Sequence, residues 1–305
     1  MITLKLALDW TINTNHTGFV VAQTQKYYEA AGIELILLTP DEDNYAITPA
    51  KKVELGLADF ALCPLESILS YQTKNNPFDA VAIAAILQED ISSIVVLKQS
   101  GIESPKDLAG KAYASYKARY EDEMVKQMIS NDGGNGEQLQ LIYPEKLGIW
   151  DTLLTGKADA TWIFDNWEGV IAQQKGIELK HFRLADFEVP YGYSPVIMTS
   201  RSKMKEHRKA FQNFLQATKA GFLQAQSNPE TAVEWLLPLV PEADHHLAFL
   251  QESQRFTSCF YGTGESWGRM NPKRVKTFID WIQQRDPTAR QISYQSLFTN
   301  ELLSE

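Results

Sequence analysis

From Leu4 to about Thr199 the chain alternates short apolar runs of strand length with longer amphipathic segments, and this alternation constrains its fold more than any other feature. Strands that take turns with helices form βαβ units, and successive units lay their strands side by side in a mainly parallel sheet covered by helices. Leu4–Leu8 reads as the first strand. A turn through Asn13-Thr14-Asn15-His16 follows, then a helix from about Thr17 to Ala31 stopped by Gly32, then a strand at Ile33–Leu38. Asp59–Cys63 reads as a strand that breaks at Pro64, where a helix from Leu65 to about Tyr71 begins. Ala80–Ile86 and Ser93–Leu97 are two further apolar runs in quick succession.

The chain has 305 residues, more than the roughly 250 to 300 at which a single core stops growing, so two lobes are expected. The first crossing is placed near Gln88-Glu89-Asp90 and the return within Val189–Pro195, which gives a discontinuous lobe of residues 1–89 and 190–305 and an inserted lobe of residues 90–189. In the inserted lobe Ser104 is suited to cap a short helix with Pro105 at its first position and Gly110 beyond its end. A strand at Ala112–Ser115, a helix from about Tyr120 to Ser130, a strand at Leu139–Tyr143 and a helix at Ile149–Leu154 follow. Lys157–Phe164 is read as the last strand of the lobe, feeding a helix from Trp167 to about Lys175. After a strand at Val196–Met198 the remainder from Lys203 reads as almost wholly helical, over about 205–226, 229–237, 242–255 and 272–284.

Composition excludes several functions. The net charge is -9 and the basic residues are scattered singly, so nucleic acid and anionic membranes are not expected partners. No apolar run approaches the roughly 20 residues that span a bilayer. Met1 runs directly into Ile2-Thr3-Leu4-Lys5 without the apolar segment of a secretory signal. The protein is therefore expected in the cytoplasm if Met1 is its natural start, and in the periplasm or another extracytoplasmic space if a signal peptide was removed. Cys63 and Cys259 lack paired spacing and read as ordinary semi-buried thiols. His245-His246 reads as surface on a terminal helix, without a third ligand at metal spacing, so no metal site is expected. Neither a Gly-x-Gly-x-x-Gly, a phosphate loop, nor a Gly-x-Ser-x-Gly occurs.

In open α/β sheets ligands lie beyond the carboxyl ends of the strands, and the loops there supply the candidates. Trp10, Asn13, Asn15 and His16 follow the first strand; an Asn amide both donates to and accepts from a heteroaromatic ring edge, though Asn13 and Asn15 also suit a plain turn. Glu66 and Ser67 open a helix, where free N–H groups favour polar ligands and where capping alone would also explain them. Ser115, Tyr116 and Arg119 hold the equivalent place in the second lobe, Arg119 equally as a surface residue. Asp165, Asn166, Trp167 and Glu168 form the densest polar and aromatic cluster. An indole stacks on a flat ring, and a carboxylate accepts from an exocyclic amine or a protonated ring nitrogen. Core packing of Trp167 and a helix-terminus role for Glu168 are the competing readings. Tyr191 and Tyr193, at the second crossing, are candidates for stacking or for hinge packing.

Two phrases recur, Gly56-Leu57-Ala58-Asp59 and Gly156-Lys157-Ala158-Asp159, each leading into a strand. With Leu8-Asp9-Trp10, Asn13-Thr14-Asn15-His16-Thr17-Gly18, Ser104–Lys111 and Trp162-Ile163-Phe164-Asp165-Asn166-Trp167, they make the chain resemble the NMT1/THI5-like family of type II periplasmic-binding-fold proteins. Within it, the resemblance is nearest to bacterial formylaminopyrimidine-binding substrate-binding proteins. The resemblance covers about residues 3–285 and implies two lobes, two crossovers and a central cleft. It implies a binding protein that closes around a thiamin-pathway aminopyrimidine, of the formylaminopyrimidine or hydroxymethylpyrimidine type, for uptake or salvage, with an ABC permease as partner if secreted.

The family also holds fungal thiamin pyrimidine synthases, which carry a cysteine-rich run, spend their own histidine and hold pyridoxal phosphate on a lysine. The corresponding stretch here is Val189-Pro190-Tyr191-Gly192-Tyr193-Ser194-Pro195, without cysteine, and His16, Lys51 and Lys52 sit in no matching pattern. A binding protein with no catalytic residues and no cofactor is therefore the expectation. A thiamin pyrimidine (hydroxymethylpyrimidine phosphate) synthase-like enzyme holding pyridoxal phosphate, or a binder of another planar heteroaromatic ligand, is the alternative.

Overall fold

The computed structural model describes residues 1–145 and 148–303. They form two compact units, Met1–Asp90 with Gly192–Glu305 and Ile91–Tyr191, so the chain leaves the first unit after Asp90 and re-enters it at Gly192.

The first unit is built on a five-stranded sheet of β1 (Ile2–Ala7), β2 (Ile33–Leu38), β3 (Phe60–Cys63), β4 (Ala80–Ala85) and β10 (Val196–Ser200), in the order β2-β1-β3-β10-β4. Leu4 and Leu6 of β1 are buried while Lys5 is exposed, the period of two that a strand imposes. β4, by contrast, is buried at all six positions. Its outer edge is closed by later chain, since Ala82 N–H donates to Leu297 O at 2.9 Å and Ala85 N–H to Gly268 O at 2.8 Å. The inserted unit repeats the scheme with β5 (Ser92–Leu97), β6 (Ala112–Ala114), β7 (Gln140–Ile142), β8 (Ala160–Phe164) and β9 (Leu179–Phe182), in the order β7-β6-β8-β5-β9. In both sheets the strand that follows a crossing, β10 or β5, takes the fourth place and runs antiparallel to its neighbours. The sheets are therefore mixed, each with one reversed strand.

The recurring Gly-x-Ala-Asp phrases do the same work in each unit. Gly56 and Gly156 sit at φ +72° and +70°, left-handed values that suit glycine. The aspartate then extends the ladder: Asp59 Oδ2 accepts from Lys5 N–H at 2.9 Å, and Asp159 Oδ2 accepts from Ala112 N–H at 2.8 Å. Their own N–H groups donate back to Lys5 O at 2.9 Å and Ala112 O at 2.8 Å. One short motif thus registers β3 on β1 and β8 on β6.

The helices are α1 (Thr17–Thr24), α2 (Tyr27–Ala30), α3 (Pro49–Glu54), α4 (Leu65–Gln72), α5 (Glu121–Asn131), α6 (Val170–Gln174), α7 (Arg201–Glu206), α8 (Arg208–Ser227), α9 (Pro229–Leu236), α10 (Leu247–Ser258) and α11 (Pro272–Arg285). Helix α8 lies on α1 at a close approach between Gly18 and Gly221. Beneath them Phe60 stacks on Phe214 with centroids 4.2 Å apart, and Phe222 meets Phe19 and Tyr261 edge-on. In the inserted unit Val95, Ala114, Ile149, Leu153, Ala158, Ile163 and Ala172 form the core.

Several expected elements differ. The helix read as Thr17–Ala31 is two, because Lys26 takes a left-handed φ of 58°. Ile149–Leu154 forms turns rather than a helix, with Leu154 N–H donating to Ile149 O at 3.0 Å. Lys157–Phe164 is not the last strand of its unit, since β9 follows at the sheet edge. The helix read from Trp167 opens with a π-helical turn at Asp165–Gly169. The helices read as 205–226 and 242–255 are each broken, at His207 and before Leu247, so His245-His246 is exposed but lies between helices. Of the two cysteines Cys63 is buried and Cys259 exposed. Ser104 and Asp107, with Pro105 first in the turn, form the capping box that the Ser-Pro-x-Asp spacing encodes.

Candidate ligand site

In the first unit the candidates gather where β1 and β3 end. Asn13 N–H donates to His16 Nδ1 at 3.2 Å, so the imidazole proton sits on Nε2 and is given to Asp9 Oδ1 at 2.8 Å. The Asn13 amide accepts from Asn15 N–H at 2.8 Å and donates to Thr11 O at 3.1 Å. His16 is fully buried and both its ring nitrogens are used, and Asn13 is spent on the turn. Both are expected to meet the ligand; in the structure each builds the loop that presents Asp9, Trp10 and the half-buried Asn15.

That loop is anchored from below by a buried polar network. Thr14 and Ser253 hydroxyls share a bond of 2.7 Å, Thr17 Oγ1 donates to Gln254 Oε1 at 2.5 Å, and Tyr261 OH donates to Thr14 O at 3.0 Å. Gln254 Nε2 completes it by donating to Ser258 Oγ at 2.9 Å and to Tyr261 OH at 3.1 Å. A satisfied network inside a low-dielectric core rigidifies what it holds.

Asp9 was not among the expected residues, although it stands in the Leu-Asp-Trp phrase. Its side chain is about one-third exposed and His16 orients it. The signal that marks it is the polar His16 seven residues on, which is buried with Asp9 as the partner of its Nε2. Glu66 and Ser67 lie in the first turn of α4, as expected, with Glu66 buried. Burial and the nearby Glu66 and Asp9 carboxylates push the Cys63 thiol far up, which keeps it a neutral packing group that hydrogen-bonds Ser67. Tyr193 is buried, its hydroxyl accepting from Asn271 N–H at 2.9 Å and its ring lying 4.1 Å from the Arg274 guanidinium. It packs within the unit, against Asn271 and Arg274.

In the inserted unit, Glu121 organises the loop after β6. Its buried carboxylate accepts from Tyr113 OH at 2.7 Å, Tyr116 N–H at 3.0 Å and Ala118 N–H at 3.0 Å, while burial raises its pKa. Ser115, expected to reach a ligand, is buried and donates to Asp122 Oδ1 at 2.6 Å while accepting from Lys117 N–H at 2.9 Å. Tyr116 is left 42% exposed. Arg119 lies exposed against the Tyr120 ring, 5.0 Å from its centroid.

After β8 the expected cluster divides. Asp165 is buried, accepting from Ser93 Oγ of β5 at 2.8 Å and from His181 Nδ1–H of β9 at 2.9 Å, and so ties the end of β8 to both of these strands. These bonds give it a structural role. Asn166 is buried beside it, whereas Trp167 and Glu168 are half-buried. Glu168 accepts from Phe164 N–H at 3.1 Å; desolvation, with the neighbouring Asp165 charge, holds its pKa above the ordinary value. Burial, with the Glu168 and Glu121 charges, likewise raises that of Tyr116, so Tyr116 and Glu168 share one neighbourhood. Tyr191 meets Trp162 edge-on at 5.9 Å. This carboxylate and indole lie on the π-helical turn, a distortion that recurs at functional sites.

Residues 13–232 match the family model described as NMT1/THI5 like. The chain belongs to this family. Among NMT1/THI5-like relatives, the formylaminopyrimidine-binding protein of Halalkalibacterium halodurans is 23% identical over 97% of this chain and 90% of its own length. The 4-amino-5-hydroxymethyl-2-methylpyrimidine phosphate synthase of Legionella pneumophila is 25% identical over 78% of this chain and 74% of its own. The solved alkanesulfonate-binding protein SsuA of Xanthomonas axonopodis pv. citri, bound to MOPS, superposes with a TM-score of 0.70 at 11% identity over 98% of this chain and 99% of that one. The chain therefore has the periplasmic-binding-protein fold and relatives in the thiamin pathway.

Proposed function

We propose that this chain is a solute-binding protein for a thiamin-pathway aminopyrimidine of the formylaminopyrimidine or hydroxymethylpyrimidine type, delivering it to an ABC permease. The observation that carries the reading is the chemistry at the strand ends of each unit: Asp9 next to Trp10, with Glu66 in the first turn of α4, in one, and Trp167 next to Glu168, whose charge reaches Tyr116, in the other. An aminopyrimidine offers an exocyclic amine and an adjacent ring nitrogen to a carboxylate, and a flat face to an indole. Three carboxylates among the candidates suit such a ligand and oppose an anionic one such as a sulfonate. Asn15, Ser67, Asn166 and Tyr191 complete the proposed contacts.

The synthase relative supports a second reading, an enzyme holding pyridoxal phosphate. Titrating the tryptophan fluorescence with hydroxymethylpyrimidine and, separately, with pyridoxal phosphate distinguishes the two. Saturable quenching by the pyrimidine alone is expected; saturable binding of pyridoxal phosphate with appearance of its protein-bound absorbance would replace the binding reading with the enzymatic one.

A further inference from the structure

Trp10 has an aromatic neighbour from a loop that carried no motif. Tyr45 lies with its ring centroid 5.6 Å from that of Trp10, the planes inclined at 51°. The side chains are 51% and 57% exposed, respectively, so the pair leaves a broad aromatic face uncovered. The two rings issue from neighbouring strand ends, because β1 and β2 are parallel and in register to Ala7 and Leu38. This is the edge of the sheet at which α/β folds receive ligands.

The backbone under Tyr45 is costly. Asn44 and Tyr45 take φ values of 52° and 60°, in the left-handed region that crowds a Cβ, and for a bulky residue this is an outlier. The conformation is held by its surroundings. Tyr45 N–H donates to Pro40 O at 2.8 Å, Asn44 N–H to Asp41 O at 3.1 Å and Ala46 N–H to Asp43 O at 3.1 Å. Asp43 in turn pairs at 3.0 Å with Lys52, whose side chain is almost wholly buried. Glycine at position 45 would satisfy the same turn without strain and without exposing a ring. Neither the strain nor the exposure serves folding, and local strain that the surroundings enforce collects at ligand sites.

We propose that Tyr45 is a ligand-contacting residue that forms, with Trp10, an aromatic wall on which a planar heteroaromatic ring stacks. This rests on the reading that the ligand is an aminopyrimidine, and it assigns to the loop after β2 a part in selecting a flat ring over an aliphatic solute.

The test is calorimetric titration of denatured and refolded wild type, Tyr45→Ala, Tyr45→Phe and Tyr45→Gly with formylaminopyrimidine and hydroxymethylpyrimidine, with thermal melting of each protein. Tyr45→Ala is expected to bind about three- to tenfold more weakly, the range that an aromatic pair contributes beyond area burial, and Tyr45→Phe to bind as wild type does. Tyr45→Gly is expected to melt no lower than wild type and yet to bind as weakly as Tyr45→Ala, a separation of stability from affinity that a structural tyrosine would not give. Wild-type binding with Tyr45→Ala unchanged would overturn the proposal alone. So would a loss of affinity that only accompanies a lower melting temperature in both Tyr45→Ala and Tyr45→Gly. Failure of the wild type to bind either pyrimidine would overturn the functional reading itself.

Discussion

Replacing Gly221 by alanine adds one methyl group at the closest approach of α1 and α8. A Cβ built there falls 2.0 Å from Gly18 O and 2.8 Å from Ala22 Cβ, where real Cβ contacts essentially never come inside 3.0 Å. The helices must therefore part by about 1 Å or more, and the obstacle is a backbone carbonyl that has no rotamer to change. Alanine favours a helix interior over glycine by about 1 kcal/mol, while overpacking costs about 1 to 3 kcal/mol. With a backbone obstacle at the upper end, the net expectation is a loss of about 2 kcal/mol. Urea denaturation followed by circular dichroism measures it. Gly264→Ala is the internal control: its Cβ would meet only Leu223 Cδ1, at 3.9 Å, so the same substitution should stabilise by about 0.4 to 1 kcal/mol. Because α1 starts directly behind the Asn13–His16 turn, Gly221→Ala should also weaken ligand binding. A Gly221→Ala protein as stable as wild type would refute the packing argument.

Gln254→Leu removes the centre of the buried network and with it three hydrogen bonds, to Thr17, Ser258 and Tyr261, while the Thr17 and Tyr261 hydroxyls keep Thr14 O; it should cost about 1 to 3 kcal/mol in the same denaturation assay. Glu168 has a raised pKa, so the native state keeps its proton to higher pH than the unfolded chain does. Stability from this group therefore falls as pH rises from the ordinary carboxylate range through the folded value, and the cost of burying the charge is fully present above it. Glu168→Gln should gain stability over wild type at neutral pH and none below the ordinary carboxylate range, as denaturation across pH would record. Trp167→Ala should weaken pyrimidine binding severalfold, from the loss of about 0.5 to 1.5 kcal/mol of stacking beyond area burial, measured by calorimetry; unchanged affinity would remove Trp167 from the site.

What was legible in the chain was what local chemistry decides. The Gly-x-Ala-Asp phrases, the Ser104 capping box and the Ile33–Leu38 strand each appear where the pattern puts them. β9 was not legible: Leu179–Phe182 is a four-residue edge strand, and only its pairing with β5 makes it one. The break at Lys26 was equally hidden, because nothing in a lysine announces a left-handed φ. At the site, residue type was readable but partnership was not. His16 and Asp165 have the chemistry of ligand contacts, and their bonds to Asp9, Ser93 and His181 give them structural roles that residue type alone does not reveal. Asp9 and Tyr45 went unnoticed for the complementary reason. One is oriented by a buried histidine, the other is held exposed on a strained turn.

In the function we propose, the strand-end carboxylates and aromatic rings receive a thiamin-pathway pyrimidine. Calorimetric titration of the protein with formylaminopyrimidine, after denaturation and refolding to strip any carried-over ligand, tests it most directly. The account predicts saturable one-to-one binding at micromolar or tighter affinity, at least tenfold stronger than for an alkanesulfonate. An absence of heat with the pyrimidine, or tighter binding of the sulfonate, would contradict it.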